Sequence, residues 1–192
     1  MDMKTSLGPR TLLYPHPMLI IGTYDAEGNA DAMAAAWGGI CSSDPPCVAF
    51  SVQKSRYTYT NLLETGACTL NIPSSAHVAE ADFFGITSGR DVDKFKACGL
   101  TPVAAACVHA PAIEEFPVVL CCRIIDTVEI GGHVQFIAEI LDVLVDDAVM
   151  GEDGKPVVEK ISPLIYDSLR REYRTVGGFA GKAFSAGLVF KK

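Results

Sequence analysis

The segment "FPVVLCCRIIDTVEIGGHVQFIAEILDVLV", residues 116–145, most limits what this chain can become. Two long, well-matched apolar runs, 116–130 and 132–145, meet at Gly131-Gly132, a pair that tolerates the positive φ of a tight hairpin turn. Strands joined so tightly lie antiparallel. The chain opens on the same pattern: "MLIIGTYDAEGNADAMAAAW" carries apolar stretches at 18–25 and 30–37 on either side of Gly28-Asn29, predicting a second hairpin. Alanines 34–36 are good helix formers, but the stretch is short and runs into Gly38-Gly39, which favours a strand.

Between these hairpins, Asp44-Pro45-Pro46 marks a turn, "CVAFSV" (47–52) a third strand and "ACTLNIP" (67–73) a fourth. "RYTYTNLLETG" reads as a helix with Leu62 and Leu63 on one face and Gly66 just past its end. Residues 74–99 lack strand character. "SSAHVAEADFFG" predicts a serine-capped helix ending at Gly85, and "GRDVDKFKACG" another, capped by Asp91 and closed by Gly99. A further strand is expected near 102–109, and the turn-rich tail 151–192 holds one short strand or helix. Without internal repeat, linker or composition break, residues 1–192 read as one domain. The fold class expected is mostly β: an antiparallel barrel with helices inserted between the fourth and fifth strands.

The charge balance narrows function. A net charge of −7, with basic residues in small clusters near Lys54, Lys94 and Arg170, argues against broad nucleic-acid or anionic-membrane binding. No apolar run approaches the roughly 18 residues of a membrane span, and the N-terminus lacks a signal-peptide pattern, so a cytoplasmic location is expected. The mean hydropathy of +0.25 fits either a large core or apolar surface buried on another subunit. Cysteines 41, 47, 68, 98, 107, 121 and 122 form no C-x-x-C pair and read as free thiols in a reducing compartment, Cys41 being the candidate for redox activity. Histidines 16, 77, 109 and 133 have no ligand-like spacing, so no metal site is expected. No Ser-His-Asp or paired-carboxylate constellation points to hydrolysis, and no protein residue is assigned a catalytic role.

Two segments carry chemistry. In "SVQKSRYTYTN" (51–61), Ser55 falls at or near a helix N-cap, with Arg56, Tyr57 and Thr58 in the first turn. Helix-start N–H groups lack internal partners, and the dipole there favours negative charge. With the bidentate donor of Arg56, hydroxyls of Ser55 and Thr58 and the charge of Lys54, the stretch suits a terminal phosphate monoester, or is simply a solvated, capped helix start. There is no Walker or G-x-G-x-x-G spacing. In "AAAWGGICSSDPP" (34–46), alanines, glycines and the single tryptophan leave much backbone bare. A flat ligand could approach it, or it is a bulged strand end with Trp37 in the core.

Taken in order, "LLYPHPMLIIGTYDAEGNADAMAAAWGG", "PPCVAFSVQKSRYTYTNLLETGACTLNIP", "SGRDVDKFKACGLTP" and "FPVVLCCRI" resemble the flavin reductase-like, FMN-binding split-barrel family, which includes flavoredoxins and NAD(P)H:flavin oxidoreductase components. The resemblance covers about residues 10–175. It implies a six-stranded antiparallel split barrel, a homodimer and FMN near the dimer interface. Ala35, Ala36, Trp37, Gly38 and Gly39 would face the isoalloxazine ring, and Val52 and Gln53 would lie along the ring or ribityl chain. Ser55, Arg56 and Thr58 would hold the phosphate. Lys94, beside Asp93, would be a further contact, and Tyr166 would approach the flavin, from the same or the partner subunit. Ala35 and Ala36 stand where relatives often carry Thr or Ser, which removes one hydroxyl from the ring. The function implied is an FMN-dependent oxidoreductase that moves hydride or electrons through bound FMN. It would draw on NAD(P)H or, as a flavoredoxin-type carrier, on an electron-transfer protein. Other readings are a non-catalytic flavin- or haem-binding module, with Cys41 as a possible haem ligand, and a structural dimerising protein.

Overall fold

The computed structural model of the chain describes residues 3–191. The strands are β1 (His16–Pro17), β2 (Leu19–Tyr24), β3 (Ala30–Ala35), β4 (Gly38–Ser43), β5 (Pro46–Gln53), β6 (Ala67–Ile72), β7 (Pro102–Ala104), β8 (Pro111–Ile113), β9 (Val118–Ile130), β10 (His133–Val145), β11 (Leu164–Asp167) and β12 (Glu172–Thr175). The α-helices are α1 (Tyr57–Thr65), α2 (Val78–Ile86), α3 (Lys94–Cys98) and α4 (Val158–Ile161). No helix among the described residues is long and apolar enough to cross a membrane.

Seven strands form one antiparallel sheet in the order β3-β2-β6-β9-β10-β5-β4, and β1-β11-β12 and β7-β8 form small satellites. The end strands of the large sheet, β3 and β4, are consecutive in the chain and separated only by Ala36 and Trp37. The sheet therefore curls until its two edges nearly meet, but no ladder joins them: this is a split barrel. The Trp37 carbonyl accepts from the Ser51 N–H at 2.9 Å, which fastens the linker to β5.

The predicted hairpins form with little change. β9 and β10 pair from His133↔Ile130 to Val145↔Val118 around Gly131, at φ +57°. In the β2–β3 turn, Asp25 accepts backbone N–H groups of Glu27 and Asn29 while Gly28 sits at φ +83°. β2 is buried on both faces because its residues alternate between two cores. Ile21 joins Val48, Phe50, Leu70 and Phe136 inside the barrel. Ile20 joins Phe84, Phe95 and Phe116 beneath the helices. That double burial explains its unbroken apolar run.

Several details depart from expectation. The sheet has a seventh strand because Gly38–Ser43, read as bare backbone at a strand end, pairs with β5. Leu62 is buried but Leu63 is exposed, since neighbours on a helix point about 100° apart. Helix α2 runs one residue past Gly85, and α3 is capped by Asp93, which accepts from the Lys96 N–H at 3.0 Å, not by Asp91. The stretch 102–109 is strand only to Ala104. Cys107 and Cys121 are joined in a disulfide, correcting the reading of seven free thiols. Cys121 alternates away from the core-facing Cys122, and its ladder partner Thr69 donates to the carbonyl of Pro111, the first residue of β8, just after the loop that carries Cys107.

Candidate cofactor site

The donor-rich turn after β5 forms the polar end of a cleft. Ser55, Arg56 and Thr58 line a cavity of about 150 Å³ together with Gln53, Ser88, Gly89 and Lys94. Because α1 begins at Tyr57, the first N–H groups of its opening turn have no helical carbonyl to reach. A Cβ on Gly89 would collide with the Asp31 carboxylate and the Tyr57 ring, so only glycine lets the facing loop approach this wall. Arg90 steadies the turn: its Nη1 donates to the Ser55 carbonyl at 3.0 Å and its guanidinium lies 5.1 Å from the Tyr57 ring centroid. Burial, then a 3.0 Å hydrogen bond to Asp25, raises the Tyr57 phenol above its ordinary pKa, so it remains protonated with its hydroxyl turned away from the cavity's donors.

Two expected contacts have other commitments. Thr58, buried at 1% exposure, donates its hydroxyl to Asp31 Oδ2 at 3.0 Å. The Lys94 ammonium lies 2.9 Å from Asp31 Oδ1 and also donates to the Ala32 carbonyl. The Lys94 and Asp31 side chains are 2% and 6% exposed. Thr58 and Lys94 thus wall the cavity while their polar groups are turned to a buried carboxylate, so neither is free as the expected ligand contact. Arg56 is exposed and forms no ion pair among the described residues; its Nη1 reaches the Gly85 carbonyl at 3.3 Å. It carries the charge an anion would meet.

From Arg56 and Gln53 the cleft continues into a trough of about 380 Å³ lined by Ala35, Ala36, Trp37, Ser51, His133 and Tyr166. The Trp37 indole rests on the His133 ring at 4.9 Å between centroids. Alternation along β5 turns Ser51 and Gln53 towards the trough and Val52 into the core, where it is 1% exposed. The side chain of Val52 therefore does not line the cleft. Gly38 and Gly39 line the next pocket along rather than the trough. Gly38 is glycine for packing: a Cβ there would lie 2.9–3.1 Å from Leu19, Ala49 and Phe50.

The sequence reading passed over Ser51, Ser88, Gly89 and His133. Ser51 follows from Gln53 by strand alternation, and "TSGR" at 87–90 is a donor-rich loop worth flagging. His133 enters only through register, paired with Gln53 across β10 and β5. Tyr166 lines the trough from its own chain. Chemically, the cleft offers charge and donors at one end and a smooth, aromatic-backed wall along the rest.

Residues 11–177 match the family model described as "Flavin reductase like domain". Among solved structures, flavoredoxin of Desulfovibrio vulgaris (Miyazaki F) superposes with a TM-score of 0.93 at 49% identity, covering 96% of this chain and all of that one. An uncharacterized protein of Aeropyrum pernix is 31% identical over 156 residues, 81% of this chain and 58% of that protein. The FMN reductase (NADH) RutF of Bradyrhizobium diazoefficiens is 28% identical over 116 residues, 59% of this chain and 61% of that protein. The matched span is thus less than two thirds of each of these two relatives. With the split barrel, the ordered motifs and a model match over nearly its whole length, the chain belongs to the flavin reductase-like domain family.

Proposed function

We propose that the chain is an FMN-binding oxidoreductase that moves hydride or electrons through flavin held in this cleft. The observation that supports it best is the continuity of the cleft, in which Met33, Gln53 and Arg56 line both the anion-suited cavity and the trough. The residues present fit a phosphate-bearing flat ring. Arg56 and the Ser55 and Ser88 hydroxyls would hold the phosphate, with the opening turn of α1. Ala35, Ala36 and Trp37 would lie along the ring, and Gln53 between the two. When bound, the flavin supplies the redox chemistry; the chain binds, orients and shields it from solvent.

Exposed aromatic residues support a homodimer: Phe179, Phe184 and Phe190 are 83%, 102% and 86% exposed. The test is an absorption spectrum of the purified protein with FMN, followed by anaerobic addition of NADH and then NADPH. Bound flavin that bleaches with a nicotinamide supports a reductase and names its donor. Bound flavin that resists both favours a carrier fed by another protein, a second reading supported by the 49% identity to a flavoredoxin. Failure to bind FMN refutes both.

A further inference from the structure

Charge is spread unevenly along this acidic chain. Residues 1–17 and 168–192 hold eight of the sixteen Lys and Arg but only two of the twenty-three Asp and Glu. Residues 18–167 carry the other twenty-one acids against eight bases. The fold brings both basic ends to one place. β1 pairs with β11 and β11 with β12, so the small satellite sheet joins the N-terminal arm to the C-terminal stretch. That sheet stands at the mouth of the trough: Thr11, Tyr166 and Ser168 line it, and the Ser168 hydroxyl donates to the Thr11 carbonyl at 3.4 Å.

Arg10 directly precedes Thr11, and Arg170 and Arg171 follow Ser168 in the turn to β12. All three are exposed and form no ion pair among the described residues, whereas Arg174 is matched by Glu172 at 2.6 Å. The turn is firmly held. Asp167 Oδ1 accepts from the Leu169 and Arg170 N–H groups, each at 3.1 Å, and the Asp167 carbonyl accepts from the Arg171 N–H at 2.7 Å. Arg171 takes up φ +56°, a left-handed conformation that is unfavourable for a long side chain and clusters at functional sites. The unmatched arginines stand beside exposed Leu13, Trp37 and Leu169, which makes the trough mouth a basic surface with apolar contacts.

We infer that this surface docks a small acidic protein that carries single electrons and delivers them to the flavin at the trough mouth. The inference rests on the proposed cofactor reading, for which it names the kind of electron donor. In each encounter the carrier's centre loses one electron to the bound flavin; two encounters complete its reduction, with protons drawn from water. Carriers of this kind meet their partners over small interfaces, and complementary charge sets the rate of encounter. An acidic carrier would be repelled by residues 18–167 and guided to the arginines, which lie where an electron has the shortest path into the trough.

Plant-type ferredoxin, whose iron–sulfur cluster carries one electron, serves as the acidic probe. Reduced beforehand, it is mixed anaerobically in stopped flow with the FMN-loaded protein. Both proteins are net negative, so overall charge alone would make flavin reduction faster as salt screens their repulsion. Docking at the arginines reverses that sign: the rate should fall at least about tenfold between about 10 mM and about 500 mM NaCl. Arg10→Glu combined with Arg170→Glu should cut the low-salt rate at least about tenfold and leave the Kd for FMN unchanged. A parent rate that rises with salt overturns the inference, and decides even where the double variant fails to fold. A double variant with the parent's ferredoxin rate overturns it too; a raised KM for NADPH or a lost dimer in that variant would then assign the arginines to a dinucleotide or to a second copy. Titration of the flavin-free protein with ferredoxin, followed by ¹⁵N resonances, separates the two readings. Salt-sensitive, arginine-dependent binding by a protein that takes up no FMN would sink the cofactor reading and leave the docking surface standing.

Discussion

Replacing Lys94 by Met isolates the buried ion pair that walls the cleft. Lys94 and Asp31 approach to 2.9 Å with side chains 2% and 6% exposed, so water cannot replace the lost ammonium. Deleting one member of such a pair costs about 3–5 kcal/mol, since the survivor is left charged and unpaired. Here the Thr58 hydroxyl still serves Asp31 at 3.0 Å and offsets part of that cost, which puts the expected loss near the bottom of the range, about 3 kcal/mol. In a chain of this length that lowers Tm by roughly 6–12 °C. Urea denaturation at neutral pH reads the loss directly. Lys94→Met combined with Asp31→Asn removes both charges and should return to within about 1–2 kcal/mol of the parent, because the penalty belongs to the unpaired charge. A single Lys94→Met variant that loses under about 1 kcal/mol would refute the reasoning, and would mean that the lysine is free to turn into the cavity.

Arg56→Ala should weaken FMN binding by at least about 1.5 kcal/mol, more than tenfold in Kd, without lowering Tm, as followed by flavin fluorescence titration and thermal melts. Asn71→Ala should destabilise by about 2–4 kcal/mol in urea, because the fully buried amide donates to Ile20 and Thr69 and accepts from the Ile113 N–H, and its loss strands two backbone groups. Tyr14→Phe should show a pH-dependent cost. The Tyr14 hydroxyl, followed by the Arg170 N–H, holds the Asp167 carboxyl below its ordinary pKa. Its stabilising share is therefore full above the ordinary carboxylate pKa and fades as acid titrates the folded group. Melts of Tyr14→Phe and parent should differ at pH 7, and the difference should shrink progressively as the pH falls below the ordinary carboxylate range.

Most of the fold was legible because hairpins announce themselves locally. Gly131-Gly132 and Gly28-Asn29 sit between apolar runs of matched length, and Gly66 at φ +62° closes α1 where the sequence placed it. β4 was not legible: "GGICSS" has no strand pattern of its own and becomes a strand only because β5 gives it a ladder. The polar cavity was legible at Ser55 and Arg56, whose residue types state their chemistry. Thr58 and Lys94 were half-read, since their partner Asp31 lies 27 and 63 residues away in the chain. Val52 was misassigned for want of strand phase, which burial of its neighbours Val48 and Phe50 supplies. His133 carries no local signal at all; pairing with Gln53 brings it to the cleft.

The two-residue link between β3 and β4 also bears on the order of folding. The edges it connects stay a few residues apart in every state of the chain but stand at opposite ends of the sheet, so the curled arrangement around them is complete only once the long-range ladders through β2, β6, β9, β10 and β5 have formed. The trough over Ala36 and Trp37 also takes His133 from β10 and Tyr166 from β11, so its shape depends on long-range pairing and not on the local link alone. A ligand that binds the completed trough and not the unfolded chain therefore acts as a clasp on the whole curled sheet, stabilising it by an amount that grows with ligand concentration relative to Kd.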